Sequence, residues 1–297
     1  MSFLAQMAAQ SRVRARAARA ARGEASLLAG CRDTAPPPAL ALGAFDLIAE
    51  IKRNSPSEGA LGVKTDAVAR AGIYAGAGAA AVSVLTEPEH FGGSLRDMES
   101  AAAALRAAAV PVMRKDFLVD PLQVLEARAG GAGGLLLIVA MLGDAALAEM
   151  LAAAREQGLF VLLEAFDEAD LERAANCLEE CGDGPPLLVG VNTRDLRTLA
   201  VDPARLARLA PRLPAGVPAV AESGLHVPAD AAAAATLGYR VALVGTALMR
   251  APDPATGVAE MLAAGRRAVD EATKGATKGA TTEATTAAAK TVAGEAE

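Results

Sequence analysis

The chain has 297 residues and 53% of them are hydrophobic, enough material to bury the core of one large or two small globular domains. The formal net charge is −6 with 22% charged residues, so no excess of positive charge is present to drive nucleic-acid binding. Three cysteines are few for this length and an odd number, so they indicate a reducing cytoplasm rather than a disulfide framework.

Neither a membrane segment nor a metal site is indicated by the sequence. The longest apolar stretch, GGLLLIVAMLG, starts at Gly133 and is much shorter than the roughly 20 residues that a membrane-spanning helix requires. Cys177 and Cys181 are four positions apart and would share one face of a helix, but His90 and His226 lie far away in the sequence. We therefore expect no nucleic-acid, membrane or metal partner.

The N-terminal segment, residues 1–45, precedes the first predicted strand. Residues 1–23 carry five arginines and no acidic residue, which is the composition of an organelle transit peptide. The same segment has a partial apolar face, made by Phe3, Leu4, Met7 and Val13. Because no cleavage signal stands out, this face favours a surface helix. We predict a short N-terminal helical extension over residues 1–45.

Short apolar runs alternate with Ala/Leu/Arg-rich stretches in the middle of the chain. The eight runs are DLIAEIK, AAVSVLT, VPVMRKD, GLLLIV, LFVLLEA, LLVGVN, PAVAES and VALVGT. Strands that alternate with helices predict βαβ units, and eight units in roughly 220 residues match a closed (β/α)8 TIM barrel. A doubly wound open sheet is the alternative, but KRNSPSEG follows the first strand in place of a G-x-G-x-x-G turn. We predict a single barrel domain over residues 46–268.

The C-terminal segment, residues 269–297, has a different composition from the barrel. It contains the repetitive stretch ATKGATKGATTEATTAAAK, which has no large apolar residue. Such a segment cannot bury enough surface to offset the entropy lost on ordering. We therefore predict a disordered low-complexity tail.

Polar residues close most of the predicted strands. Catalytic groups of a TIM barrel lie at the carboxyl ends of its strands, whereas the strand interiors are filled by apolar side chains. The residues at those ends are Glu50, Lys52, Lys115, Glu164, Asn192, Glu222, Ser223, Gly245 and Thr246. Glu50 and Lys52 are two positions apart and share a face with Ile48, so we interpret both charges as facing the barrel mouth. An ion pair that only closes the top of the barrel is the alternative.

Seven segments in this order carry a family resemblance. They are IAEIKRNSPS, VSVLTEPEHFGGS, PVMRKDF, LLEA, GVNTRDL, AESGL and ALVGTALM, and the match runs from Leu47 to Met249. Together they resemble indole-3-glycerol-phosphate synthase, a single-domain (β/α)8 enzyme of tryptophan biosynthesis. Two positions depart from the family pattern: Glu58, where a basic residue is frequent, and Thr193, where a second asparagine is usual.

The resemblance implies a decarboxylating carbon–carbon lyase that needs no metal or organic cofactor. The family closes an indole ring on 1-(2-carboxyphenylamino)-1-deoxyribulose 5-phosphate, with loss of carbon dioxide and then water. Lys115 matches the acid for ring closure, a task suited to an ammonium whose pKa is lowered by burial or by neighbouring cations. Glu164 matches the base for dehydration, and Glu50 either takes part in later proton transfers or holds Lys115 in place.

The resemblance also implies which residues bind the substrate. Lys52 matches the lysine that holds the carboxylate, and Asn192 and Arg194 match residues that bind polar groups nearby, although a surface arginine is the alternative for Arg194. The phosphate is expected at the loops after the last two strands, with help from the first loop. The expected phosphate-binding residues are Ser55, Ser223, Gly224, Gly245 and Thr246. For the glycines, a simple turn role is the alternative.

Two aromatic residues follow polar strand ends in a chain with only 3% aromatic residues. We interpret Phe91 and Phe117 as walls for the aromatic ring of a substrate, with ordinary packing over the barrel top as the alternative. The expected partner is thus a small phosphorylated molecule, and association with other tryptophan-pathway enzymes in the cytoplasm is a further expectation.

The same barrel also occurs with other functions. An isomerase of the same pathway is disfavoured, because that family uses a cysteine on the first strand and DLIAEIK has none. A paralogue that acts on a modified anthranilate-derived substrate remains open. An inactive ligand-binding paralogue is disfavoured by the presence of Lys115, Glu164 and Glu50.

Overall fold

The computed structural model describes the backbone of residues 2–55, 59–61, 66–181 and 185–294, and within these ranges the side chains of residues 179–181 and 275–294 are not described. Eight parallel strands close into a barrel: β1 (Asp46–Ile51), β2 (Ala81–Leu85), β3 (Val112–Lys115), β4 (Gly134–Ile138), β5 (Phe160–Ala165), β6 (Leu187–Asn192), β7 (Ala219–Glu222) and β8 (Val241–Val244). Strand β1 pairs with both β2 and β8, so the sheet has no open edge. The predicted (β/α)8 barrel is confirmed, and each predicted apolar run contains one strand.

Helices surround the barrel and precede it. They are α1 (Phe3–Arg22), α2 (Glu24–Asp33), α3 (Ala67–Gly76), α4 (Leu95–Leu105), α5 (Pro121–Ala129), α6 (Asp144–Glu156), α7 (Glu168–Cys181), α8 (Arg205–Leu209), α9 (Pro228–Thr236), α10 (Thr246–Arg250) and α11 (Pro254–Gly294). Side chains cap the N-termini of three of these helices. Asp66, Ser94 and Asp120 accept backbone N–H groups of the first turns of α3, α4 and α5, respectively. None of the described helices is both long and apolar enough to span a membrane.

The strands are apolar on both faces because each separates two cores. Leu47 and Ala49 of β1 belong to the core between the barrel and its helices, whereas Ile48 belongs to the core inside the barrel. Met113 of β3 and Leu162 of β5 share that interior core. Strands buried on both faces read as continuous apolar runs, which is why the sequence shows runs instead of alternation.

Helix α1 lies against the carboxyl-terminal end of the barrel. Phe3 packs edge-on against Phe117, with ring centroids 6.0 Å apart, and Leu4 and Met7 are buried in the interior core. Val13 is 64% exposed, so its inclusion in the predicted apolar face was wrong. Nine residues separate Val13 from Leu4, which at 100° per residue places the two on opposite sides of the helix.

Helix α11 packs against the barrel through its N-terminal part. Val258, Met261 and Leu262 are buried in the core between barrel and helices, and Ala268 and Val269 are the last described side chains that pack against it. The backbone stays helical through Gly294, whereas the composition predicted disorder from residue 269. Alanine has the highest helix propensity, so an Ala-rich segment can be helical without burial. The division at residue 268 remains a prediction.

A chain that ends at Lys274 should keep the stability of the full chain, because the removed segment contains almost no large apolar residue. We expect the melting temperature to change by less than about 2 °C in a thermal scan followed by circular dichroism. A chain that ends at Gly257 is the control, since it loses Val258, Met261 and Leu262, each worth about 1.5–3 kcal/mol of burial. A large loss of stability in the longer variant would show that the tail docks on the barrel.

Candidate active site

Four charged side chains form one layer inside the barrel at its carboxyl-terminal end. They are Glu50 of β1, Lys115 of β3, Glu164 of β5 and Glu222 of β7, so alternate strands contribute one residue each. Interior layers of this fold are built in that way, with bulky apolar side chains the usual occupants. The three carboxyl groups are almost completely buried. We call this set the charged layer.

Lys115 joins the members of the charged layer. Its Nζ lies 3.2 Å from Glu164 Oε2 and 3.5 Å from Glu222 Oε2. A second lysine lies just above, where Lys52 Nζ is 2.9 Å from Glu50 Oε1. The Glu50–Lys52 ion pair anticipated as an alternative is therefore present. Among the described side chains, no cluster of three His, Cys, Asp or Glu residues could hold a metal ion.

The surroundings of Lys115 determine its protonation. Burial alone would lower the pKa of its ammonium, but the negative charges of Glu164, Glu222 and Glu50 outweigh burial and raise that pKa above the ordinary lysine value. The expectation of a pKa lowered by burial or by neighbouring cations was wrong, because the groups next to Lys115 are carboxyls. Lys115 is therefore an ammonium at neutral pH.

The surroundings of Glu222 raise the pKa of its carboxyl group. Burial raises its pKa well above the usual range, the charge of Glu164 adds to the rise, and Lys115 opposes it. A hydrogen bond between the carboxyls of Glu222 and Glu164 raises the pKa of Glu222 further. Glu222 therefore holds a proton more strongly than an ordinary carboxyl group does.

A cavity opens directly above the charged layer. Its lining consists of Lys52, Ser55, Leu85, Phe91, Lys115, Asp116, Phe117, Leu136, Ile138, Asn192, Arg194, Leu196, Leu199 and Ser223. Eight predicted site residues thus meet around one cavity: Lys52, Ser55, Phe91, Lys115, Phe117, Asn192, Arg194 and Ser223. Glu50 and Glu164 lie in the layer beneath it. Glu58 lies outside the described residues.

Aromatic rings form one wall of the cavity. The rings of Phe91 and Phe117 have centroids 6.0 Å apart at an angle of 40°. The loop that carries Phe91 is held by the buried carboxylate of Glu87, which accepts the backbone N–H groups of Glu89, His90 and Phe91. Both rings therefore line the cavity, and Phe3 of α1 packs against Phe117. Their contact with the ring of a substrate remains a prediction.

Asn192 and Arg194 lie at the end of β6, on the opposite side of the barrel from β2. The side-chain oxygen of Asn192 accepts the backbone N–H of Arg194 at 2.9 Å. The guanidinium of Arg194 donates to the carbonyl of Leu199 at 3.1 Å and lines the cavity. Arg194 is thus a cavity residue, contrary to the surface alternative.

The residues predicted to bind phosphate fall into two groups. Strands β7 and β8 are neighbours, so Ser223 and Gly224 come next to Gly245 and Thr246. Ser223 and Gly224 both have left-handed backbone, with φ of 63° and 71°, which makes a tight turn at the cavity. Gly245 is different, because a Cβ there would overlap Glu50 Oε1 and lie 3.0 Å from Lys52 Nζ. Gly245 therefore leaves room for the two charges of β1.

Glu222 is the residue that the sequence reasoning undervalued. In the sequence it is a polar strand end in PAVAES, and the family resemblance assigns it no role. In the structure it is buried and contacts Lys115. Its position could have identified it, because Glu222 lies at the end of an odd-numbered strand, as do the predicted site residues Glu50 and Glu164.

The comparison with protein families agrees with this geometry. A family model described as indole-3-glycerol phosphate synthase matches residues 17–261, which is most of the chain and includes every residue of the charged layer. The chain belongs to the indole-3-glycerol phosphate synthase family.

Individual relatives support the same family. The chain is 48% identical over 219 residues to an indole-3-glycerol phosphate synthase of Parafrankia sp., an alignment that covers 74% of this chain and 78% of the relative. It is 44% identical over 241 residues to an indole-3-glycerol phosphate synthase of Nocardioides sp., with 80% and 89% covered. Among solved structures, phosphoribosyl anthranilate isomerase from Thermotoga maritima is similar in fold only, with a TM-score of 0.51, 15% identity, and 74% and 98% covered.

Substitution of Gly245 by alanine tests whether this glycine provides space for the charges of β1. The φ of Gly245 is −119°, outside the left-handed region that requires glycine, so the expected cause of a loss is crowding of Glu50 and Lys52. We expect Gly245→Ala to lose about 1–3 kcal/mol in urea unfolding.

The matched control is Gly72→Ala in α3, where a Cβ would meet open space. It should gain about 0.5–1 kcal/mol from helix propensity. Equal stability of Gly245→Ala and the parent would show that Gly245 is a simple turn residue.

Proposed function

We propose that this protein catalyses the reaction for which its family is named, the conversion of 1-(2-carboxyphenylamino)-1-deoxyribulose 5-phosphate to indole-3-glycerol phosphate. The observation that carries the proposal is the position of Lys115, an ammonium at the base of the cavity and 3.2 Å from the Glu164 carboxyl. An acid and a base within hydrogen-bond distance suit a reaction in which both ring closure and dehydration need a proton transfer.

The cavity offers a complement to each part of this substrate. Phe91 and Phe117 provide an apolar wall for the anthranilate ring. Lys52 lies above the charged layer and is suited to the benzoate carboxylate, while Asn192 and Arg194 face the polar groups next to it. Ser55 and the turn at Ser223 are suited to the phosphate, together with Gly224, Gly245 and Thr246 at the loops after β7 and β8.

Lys115 acts first in the proposed mechanism. The aromatic carbon that bears the carboxylate attacks the ribulose carbonyl carbon, and the electrons of the C=O bond move to oxygen. Lys115 donates its proton to that oxygen. The raised pKa of Lys115 keeps the proton in place until it is needed, and an alkoxide is a stronger base than an amine, so the transfer is favourable once the carbon–carbon bond forms.

Lys52 acts in ring closure and in the decarboxylation that follows. It holds the carboxylate during ring closure by charge and then loses its partner, because carbon dioxide leaves as a neutral molecule and its bonding electrons restore the aromatic ring. Glu50 lies 2.9 Å from Lys52, so we assign Glu50 to positioning this ammonium. Its contact is with Lys52, while its charge also raises the pKa of Lys115.

Glu164 acts in the dehydration. Lys115, reprotonated from solvent after ring closure, donates a proton to the hydroxyl at the new ring carbon, which departs as water. The adjacent ring carbon loses a proton to the Glu164 carboxylate. Lys115 and Glu222 flank Glu164, so the acid that releases water and the base that accepts the ring proton are in contact. One proton is consumed overall, because a carboxylate leaves as neutral carbon dioxide.

Three substitutions separate the proposed roles. Lys115→Ala removes the acid and should lower kcat by roughly 10²- to 10⁴-fold while the Kd of the substrate changes little. Lys52→Ala should weaken binding as well as turnover, because its task is to hold the carboxylate. Glu164→Gln keeps the shape but cannot accept a proton, so a ring-closed intermediate should accumulate in single-turnover experiments.

Lys274→Ala, at an exposed lysine far from the cavity along α11, is the matched control and should retain the kcat of the parent. Folding of every variant is checked by circular dichroism. Turnover of Lys115→Ala at the rate of the parent would refute the assignment of the acid.

The pH dependence of kcat tests the state of Lys115. An acid must be protonated to act, and carboxyl neighbours raise its pKa above the ordinary value of 10.5. We therefore expect no alkaline fall in kcat from Lys115 below pH 10.5, as long as circular dichroism shows the folded chain. An alkaline limb with a midpoint at about pH 7 to 8 that disappears in Lys115→Ala would indicate a lowered pKa instead.

An assay of indole-3-glycerol phosphate formation by the purified chain tests the proposal directly. Product formation at an ordinary enzymatic rate supports it. Absence of activity with measurable substrate binding would favour the inactive ligand-binding paralogue, and absence of both would favour a modified anthranilate-derived substrate. Association with other tryptophan-pathway enzymes and a cytoplasmic location remain predictions.

A further inference from the structure

The side chains of the charged layer need more space than the residues that usually occupy such a layer. Glutamate and lysine side chains are longer than the branched apolar residues that usually fill such a layer, and strands lie only about 4.8 Å apart. Small residues lie beside the layer on three of the four even-numbered strands, while β4 has Ile138 next to Glu164. Ser83 of β2 pairs with Glu50, Gly190 of β6 pairs with Glu164, and Gly245 follows β8.

Gly190 lies between two members of the charged layer. Strand β6 separates β5, which carries Glu164, from β7, which carries Glu222. A Cβ on Gly190 would overlap Glu222 Oε1 and would lie 3.1 Å from Leu162 Cδ1. The Glu222 carboxyl therefore occupies the space that a side chain at position 190 would fill.

The backbone does not explain this glycine. Gly190 is in the middle of β6, paired with Glu164 on one side and Val220 on the other, and its φ is not in the left-handed region. Glycine weakens a strand relative to residues with a side chain. Space for the neighbouring carboxyl is the remaining reason for glycine at this position.

We propose that Gly190 is a positioning residue, whose missing side chain lets the Glu222 carboxyl reach across β6 to Glu164 and Lys115. The effect of Gly190 on turnover rests on the proposed function. With alanine at position 190, the Glu222 carboxyl would move away from the 3.5 Å contact with Lys115. Lys115 would then lose one of its carboxyl neighbours and its fixed place below the substrate.

The experiment measures kcat, KM and urea unfolding for Gly190→Ala, Glu222→Ala and the double variant. Gly190→Ala alone should lower kcat by roughly 10²-fold with little change in KM, since small displacements of reacting groups have effects of that size. In the Glu222→Ala background the carboxyl is gone, so Gly190→Ala should change kcat by less than about twofold. The same factor in both backgrounds would overturn the proposal.

Gly134→Ala is the matched control for crowding. Gly134 is also a strand glycine inside the barrel, and a Cβ there would overlap the ring of Phe160, which precedes Glu164 by four residues along β5. It should lower stability but leave the kcat of the folded enzyme unchanged. A loss of kcat equal to that of Gly190→Ala would mean that crowding anywhere in the barrel has this effect, which contradicts a positioning role.

Unfolding separates this inference from the proposed function. If the parent chain lacks the assayed activity, the proposed function fails, but Gly190→Ala should still destabilise the parent and not the Glu222→Ala variant. If Gly190→Ala does not fold, the double variant decides: a folded double variant supports the contact, and an unfolded one overturns it.

Discussion

The contact of the Lys115 ammonium with the carboxyl groups of Glu164 and Glu222 is the interaction on which the site depends. Three carboxyl groups buried at one level would repel each other and would resist removal from water. The ammonium offsets this repulsion through its contacts with Glu164 and Glu222. The same contact holds an acid and a base together beneath the cavity, at the carboxyl-terminal end of the barrel.

The strand end that carries Lys115 is fixed from several sides. The next residue, Asp116, accepts the guanidinium of Arg14 at 2.7 Å, the hydroxyl of Thr86 at 2.8 Å and the backbone N–H of Phe117 at 2.8 Å. These partners come from α1, from the loop after β2 and from the chain that follows β3. The N-terminal extension is therefore joined to the residue beside the proposed acid, and its packing and the geometry of the site are connected.

The sequence was sufficient for the fold and for most of the cavity because both depend on local patterns. Short apolar runs separated by helical stretches identify the strands, and polar strand ends identify Lys115 and Glu164. Other features depend on contacts between residues far apart in the chain. The direction of the Lys115 pKa shift required knowing that its neighbours are acids, and the reason for Gly245 required knowing that Glu50 lies over it. Neither contact leaves a pattern within one segment.

The distribution of charge between the two halves of the barrel has a consequence for how the molecule can be divided. The first four strands and the residues that end them carry Glu50, Lys52 and Lys115, whereas the last four carry Glu164 and Glu222. A cut between β4 and β5 would separate Lys115 from both of the acids that it contacts, Glu164 and Glu222. Each half-barrel alone would hold one side of these ion pairs without the other, so the contacts of Lys115 also favour the reunion of the two fragments.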